Sequence, residues 1–272
     1  MNIVSKSLLV GAMALAATGA QARVASSALS GFENDPLGSE LFLSVYNAEG
    51  QISYALDLGI RTKDFDPTKP LSFNISSNAF LSFMAGTSAG QSLVYSIVGA
   101  NNFFSDLPDL DYLGLFVTSK GQPALQDFNG FNNSVAKVSQ HIDQLNSRSG
   151  QLTGTNQQTG NKAVNLDSFS TPGTAAYYPV NWGSNLGNSF GSSVAVSAGE
   201  AAEFWWLSQP FDEELGDHVP TATLLGYWNF TVAGNTANLE FSSAPAVVPV
   251  PAAVWLFGTG LMGLLAAKRR KA

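Results

Sequence analysis

The sequence has no cysteine. Disulfides, thiolate nucleophiles and cysteine-held zinc are therefore excluded. The folded part must be held by its core alone, and a chain of 272 residues is long enough for that. Basic residues are scarce as well. Of the 13 lysines and arginines, Lys6 and Arg23 lie near the start and Lys268, Arg269, Arg270 and Lys271 at the end. That leaves seven in the body against 20 acids, all between Glu33 and Glu240. Such an acidic body repels nucleic-acid phosphates, admits divalent cations and suits a soluble exported protein. No internal repeat stands out.

The two ends read as targeting segments rather than fold. Met1 to Ser7 carries one positive charge, Lys6, and Leu8 to Ala17 is an apolar run too short to span a bilayer. Ala20-Gln21-Ala22 then places small residues at the two positions a signal peptidase reads, Ala20 and Ala22, so cleavage is expected after Ala22. At the other end, Ala252 to Ala267 has no charged residue and is followed at once by Lys268-Arg269-Arg270-Lys271. As a helix this run rises about 24 Å, slightly short of a roughly 30 Å hydrocarbon core. Local thinning absorbs such a mismatch. The basic residues are expected to stop transfer and stay cytoplasmic, leaving the body outside.

Between the ends the sequence reads as β-rich. Leu71, Phe73 and Ile75 alternate with Ser72, Asn74 and Ser76, the period-2 pattern of a half-buried strand. Glu40–Tyr46 and Gln51–Leu58 flank a turn at Asn47-Ala48-Glu49-Gly50, which reads as a hairpin. Trp228, Phe230 and Val232 alternate with polar residues up to Ala233-Gly234-Asn235, and Thr236 to Phe241 follows. Further strands are expected at 79–84, 92–98, 112–118, 193–197 and 203–208. About ten short strands with small polar connections predict an antiparallel β-sandwich, jelly-roll-like. One segment differs. Phe131, Val135, Val138, Ile142 and Leu145 fall at steps of four and three, which predicts a short covering helix over 132–147, capped by Asn133 or Ser134. Residues 149–161 are polar and glycine-rich and read as a mobile loop. Ser242 to Pro251 holds three prolines and reads as a linker.

The C-terminal residues carry a resemblance. Val248-Pro249-Val250-Pro251-Ala252, the apolar run with Trp255, and the four terminal bases together resemble the PEP-CTERM sorting signal. The motif is similar to the variant reading V-P-L-P-A, with Val250 in place of leucine. The resemblance implies recognition of Val248, Pro249, Val250 and Pro251 by an exosortase, a transpeptidase-like membrane enzyme of bacteria with two membranes and secreted exopolysaccharide. It covers about the last 25 residues and does not speak to the body. Independently of any family, Pro249 and Pro251 keep the chain extended and prevent the helix from growing upstream, which is the form a cutting enzyme at a membrane surface needs.

Several groups of residues could carry chemistry. Gly86-Thr87-Ser88-Ala89-Gly90 fits the G-x-S-x-G nucleophile elbow, but that elbow needs a strand before it and a helix after it. A strand is expected on both sides here, so a Gly-Ser turn explains the motif better. His141 falls beside the apolar stripe of the helix and is expected at its exposed edge. His218 lies in an acidic loop with Asp212, Glu213, Glu214 and Asp217, a candidate cation site whose plain alternative is a solvated loop. Asp106, Asp109 and Asp111 cluster before Tyr112, and Asp64 and Asp66 form a smaller pair. Hard cations such as calcium take oxygen ligands of this kind. Tyr178 with Trp182 is a candidate sugar-stacking surface, and Trp205-Trp206 and Tyr227-Trp228 are further aromatic pairs. Adjacent strand residues point to opposite faces, so one member of each pair is expected in the core.

These observations divide the chain into a signal peptide (1–22), a secreted β-rich domain (23–243), a proline-rich linker with the sorting motif (244–251), a transmembrane helix (252–267) and a basic cytoplasmic tail (268–272). They point to a non-enzymatic bacterial surface or matrix protein that meets signal peptidase, an exosortase and exopolysaccharide, with no resident cofactor. The alternatives are a carbohydrate- or calcium-dependent binding module and, behind it, a secreted hydrolase.

Overall fold

A computed structural model describes residues 38–101, 114–146, 157–161, 165–174, 177–179 and 194–244. The expected signal peptide, the sorting motif, the anchor and the basic tail lie outside these residues, as do Asp106, Asp109, Asp111 and Trp182. Among the described residues no helix is long and apolar enough to cross a membrane.

The chain forms β1 (Glu40–Asn47), β2 (Ile52–Arg61), a 3-10 turn (Thr62–Asp64), β3 (Leu71–Ile75), α1 (Asn78–Ala85), β4 (Leu93–Asn101) and β5 (Gly114–Ser119). It continues with α2 (Phe128–Asn146), β6 (Gln157–Asn161), β7 (Asn165–Ser170), β8 (Val196–Ser197) and β9 (Ala201–Ser208). Last come β10 (Phe211–Asp212), β11 (Asp217–His218), β12 (Thr221–Ala233) and β13 (Thr236–Ser243). The expected sandwich of two sheets is replaced by one continuous 11-stranded antiparallel sheet, in the order β3-β13-β12-β9-β5-β4-β1-β2-β7-β6, with β8 on β4 and curled into a half-barrel. A separate two-stranded hairpin joins β10 to β11.

The curl creates two cores. The inner one gathers Leu41, Leu43 and Val45 of β1, Tyr95 and Ile97 of β4, Phe204 of β9, Trp228 and Phe230 of β12, and Leu239 and Phe241 of β13. Aromatic rings bridge it: Phe65 meets Phe116, Phe204 and Phe241 edge-on at 5.1 to 5.9 Å. The outer one packs Phe42, Val98, Ala100, Leu115 and Val117 of the central strands against α2. The helix stripe is as the spacing requires, with Phe131, Val135, Val138, Ile142 and Leu145 all buried. Its start is earlier than expected. Asp127 Oδ1 accepts from the Gly130 amide at 2.7 Å, so this carboxylate caps the first turn. Ser134 lies inside the helix, its hydroxyl 3.0 Å from the Gly130 carbonyl.

Two further expectations are corrected. Residues 79–84 form α1 rather than a strand, because Ser77 caps a helix there: its Oγ accepts from the Phe80 amide at 3.1 Å. Ala79, Phe80 and Phe83 then share the face turned to the inner core. Residues 157–161 of the expected loop form β6, paired with β7, whose polar composition gives no strand pattern.

Side-chain hydrogen bonds lock the curl. The Tyr95 hydroxyl sits 2.8 Å from both the Glu200 and the Trp228 carbonyls, tying β4 to β12 across the interior. Gly114 leaves room for an aromatic ring: a Cβ there would meet Trp206 at 1.6 to 2.1 Å. The β12–β13 hairpin closes through Gly234 at a φ of +61° with Ala233 opposite Thr236, the two-residue turn that matches strand twist.

Candidate functional site

Ser88 is placed in a connection between α1 and β4, so the order is helix, turn, strand. A nucleophile elbow needs the reverse. The turn is stapled to the β1–β2 hairpin. Gln91 Oε1 accepts from the Ser88 amide and from Asn47 Nδ2, both at 2.8 Å, and Asn47 Oδ1 accepts from the Gly50 amide at 2.8 Å. The G-x-S-x-G segment is thus a structural turn, although not one between two strands.

The histidines go to different places. His141 is 1% exposed and lies 5.5 Å from the Phe42 ring, so the expectation of an exposed edge is corrected. The stripe of α2 is wide enough to include it. Burial lowers its pKa to about 3 and keeps the imidazole neutral. His218 Nδ1 lies 2.8 Å from the Gln209 carbonyl and its ring meets Phe211 edge-on. Around it, Asp212 Oδ1 accepts from the Glu214 and Leu215 amides at 2.8 and 3.1 Å. The acidic loop therefore spends a carboxylate on its own turn. Asp66 does the same, accepting from the Thr68 amide and hydroxyl and pairing with Lys69 at 3.0 Å. Among the described residues no three histidine, aspartate or glutamate side chains converge as a metal set.

Tyr178 is 1% exposed and stacks flat on Tyr46 at 4.8 Å. Its ring faces belong to the outer core, so it offers no surface for a sugar. The other aromatic pairs split across the sheet as pleating requires. Trp206 packs on Phe116 inside at 4.4 Å, while the Trp205 indole N–H donates to Glu203 at 3.1 Å on the opposite face. Trp228 is fully buried inside and Tyr227 faces out, half-buried.

Two buried carboxyls were not foreseen. Asp57 is 3% exposed and accepts from the Gly59 amide at 2.7 Å. Burial, reinforced by the neighbouring Glu40 charge, pushes its pKa up to about 8. Asp167 Oδ2 accepts from the Tyr54 hydroxyl at 2.9 Å and from the Ser77 hydroxyl. Burial raises its pKa as well. Ser77 thus caps α1 and anchors it to β7 at once. No local signal marks Asp167, because Tyr54 and Ser77 lie 113 and 90 residues away along the chain, and the burial of Asp57 is set by the fold around it.

The outer face of β3, β13, β12 and β9 carries a groove of about 540 Å3. Tyr227, Asn229, Glu240, Ser72 and Ser242 line it. Register makes it: Asn229 stands opposite Glu240, Tyr227 opposite Ser242, and Glu240 opposite Ser72. Sequence reading singled out Tyr227 but not Asn229 or Glu240, which meet only across strands.

No curated protein and no solved structure matches the chain. The body therefore stands on its own geometry, and the sorting segment lies beyond the described residues. Residues 247–271 match the family model of the PEP-CTERM protein-sorting motif, and the chain carries that motif at its C-terminus.

Proposed function

We propose that the protein is exported across the inner membrane, held there briefly by residues 252–267, and released by an exosortase-like enzyme to the cell surface or extracellular matrix. The observation that carries this reading is the sorting motif at residues 247–271. Signal peptidase would cut after Ala22. Lys268, Arg269, Arg270 and Lys271 would halt translocation, and the extended Val248-Pro249-Val250-Pro251 segment would present the cutting site. The β-rich body would then act without catalysis in the exopolysaccharide or biofilm layer, where its excess of acids keeps it soluble.

Immunoblotting of cell and medium fractions, with tags on body and tail, tests the reading. A tail-free body is expected, with Arg23 as its first residue by mass spectrometry. Replacing Pro249 and Pro251 by alanine should leave the protein uncleaved at the membrane. If full-length protein is the only form in the native host, the sorting proposal fails. A carbohydrate-binding role is the second reading, favoured by the groove on the outer sheet face. A calcium role for Asp106, Asp109 and Asp111 would show as a Tm lowered by chelator.

A further inference from the structure

The groove on the outer face of β12 and β13 lies where no described residue covers the sheet. Helix α2 buries the same face over β1, β4 and β5. Over the other wing, Thr231, Glu240, Ser242, Ser72 and Asn74 are exposed. We propose that this groove binds an extended oligosaccharide of neutral or amine-bearing pyranose units.

Three features support the assignment. Tyr227 supplies a half-buried ring at the groove wall. A phenol offers an apolar face to sugar C–H groups and a hydroxyl to their oxygens. Ser242 stands directly opposite Tyr227 on β13, and Ala201 lies diagonally from it on β9, opposite Asn229, so space for a ring remains on these two sides. The second feature is the amide of Asn229. Its Oδ1 is buried with no hydrogen-bond partner among the described residues, an unfavourable state for a buried acceptor. A half-turn of the terminal amide presents a donor or an acceptor to a hydroxyl in the groove.

Charge selects among sugars. Glu240 lines the groove and already accepts from Asn238 Nδ2 at 2.7 Å, which fixes its carboxylate. Glu203 stands opposite Tyr227 on the same face, and among the described residues no lysine or arginine lines the groove. An anionic polymer is repelled by such a surface, whereas an ammonium beside Glu240 gains a charge-assisted hydrogen bond. A shallow, open site of this size implies weak binding, with Kd on the order of 0.1–1 mM.

Purified full-length protein in a detergent without sugar headgroups provides the test, read by saturation-transfer NMR. The probes are chitosan hexamer (amine-bearing), cellohexaose (neutral) and an oligoguluronate (anionic). The first two should give transfer and the third none. Tyr227→Ala should weaken both by about tenfold or more, and Tyr227→Phe should retain most binding. Glu240→Gln should weaken the chitosan hexamer several-fold and spare cellohexaose. Absence of binding by all three, or binding indifferent to Tyr227→Ala and Glu240→Gln, overturns the proposal. So does saturation by a peptide of residues 244–251 that excludes the sugars, because the groove would then belong to the chain's own proline-rich segment. The uncleaved protein is used throughout, so failure here leaves the sorting proposal standing, and failure of sorting leaves the groove.

Discussion

Strands β1 and β2 are buried along nearly their whole length, whereas β13 alternates buried and exposed residues. The first pair lies in the middle of the sheet, between the inner core and, over β1, helix α2. Strand β13 lies in a wing whose outer face no described residue covers. Cover on both faces demands a continuous apolar run, as in Leu41-Phe42-Leu43, and cover on one face demands period 2, as in Trp228, Phe230 and Val232. The texture of a strand's sequence therefore reports how many layers rest on it. It also bears on where ligand-facing polar groups can sit, since among the described residues the wing has an outer face free to carry them.

One pair of substitutions would break this contrast most sharply. Val98→Lys places a charge beneath α2 and should cost several kcal/mol, enough to lose the cooperative urea transition. Thr231→Lys, also outward-facing but in the wing, should stay within about 0.5 kcal/mol of the parent. Equal effects would show that the two regions are not differently covered. The inner core should not discriminate between regions. Trp228→Ala in the wing and Phe83→Ala on α1 should each cost about 3–5 kcal/mol by denaturant midpoint.

The buried ionisable side chains sharpen the comparison, because Asp57, Asp167 and His141 belong to the covered half and none to β3, β12 or β13. His141 is depressed from 6.5 to about 3. The folded state then binds fewer protons than the unfolded one, and stability should fall as pH drops from 6.5 towards 3. His141→Leu should flatten that acid limb, by an amount of a few kcal/mol. Asp57 is shifted the other way, from 3.8 to about 8. Its contribution is complete below 3.8 and lost as pH rises towards 8, so Asp57→Asn should flatten the alkaline limb. Unchanged pH profiles in both variants would place these groups in solvent. A modest effect is expected from Ser77→Ala. It removes a helix cap and the hydroxyl that donates to Asp167, at a cost of about 1–3 kcal/mol measurable by thermal melting.

Much of the wing was legible in the sequence because its pattern is local. The β12–β13 hairpin needs only alternation and Gly234-Asn235 to be found, and the stripe of α2 needs only spacing. Helix α1 was missed because Ala79-Phe80-Leu81-Ser82-Phe83 is too short and apolar for its period to separate helix from strand. The deciding residue, Ser77, looks like any other serine. Strand β6 was missed because Gln157–Asn161 has no apolar residue. The single curled sheet was misread as a sandwich because closure depends on β9 joining β12 to β5, a pairing that no local pattern encodes. The groove was half-legible for the same reason. Tyr227 announces itself, but the register that brings Asn229 and Glu240 beside it belongs to the folded sheet.

Gly114 and Trp206 are coupled positions. The Trp206 ring occupies the volume any side chain at 114 would need. Drift at either position alone is therefore blocked: a larger residue at 114 evicts the indole, and a smaller one at 206 leaves a hole over bare backbone. In diverging descendants of this sequence the two sites should change as a couple or not at all. A library randomised at both positions and selected for folding should recover glycine with tryptophan, or a side chain at 114 with a small residue at 206, and few other combinations.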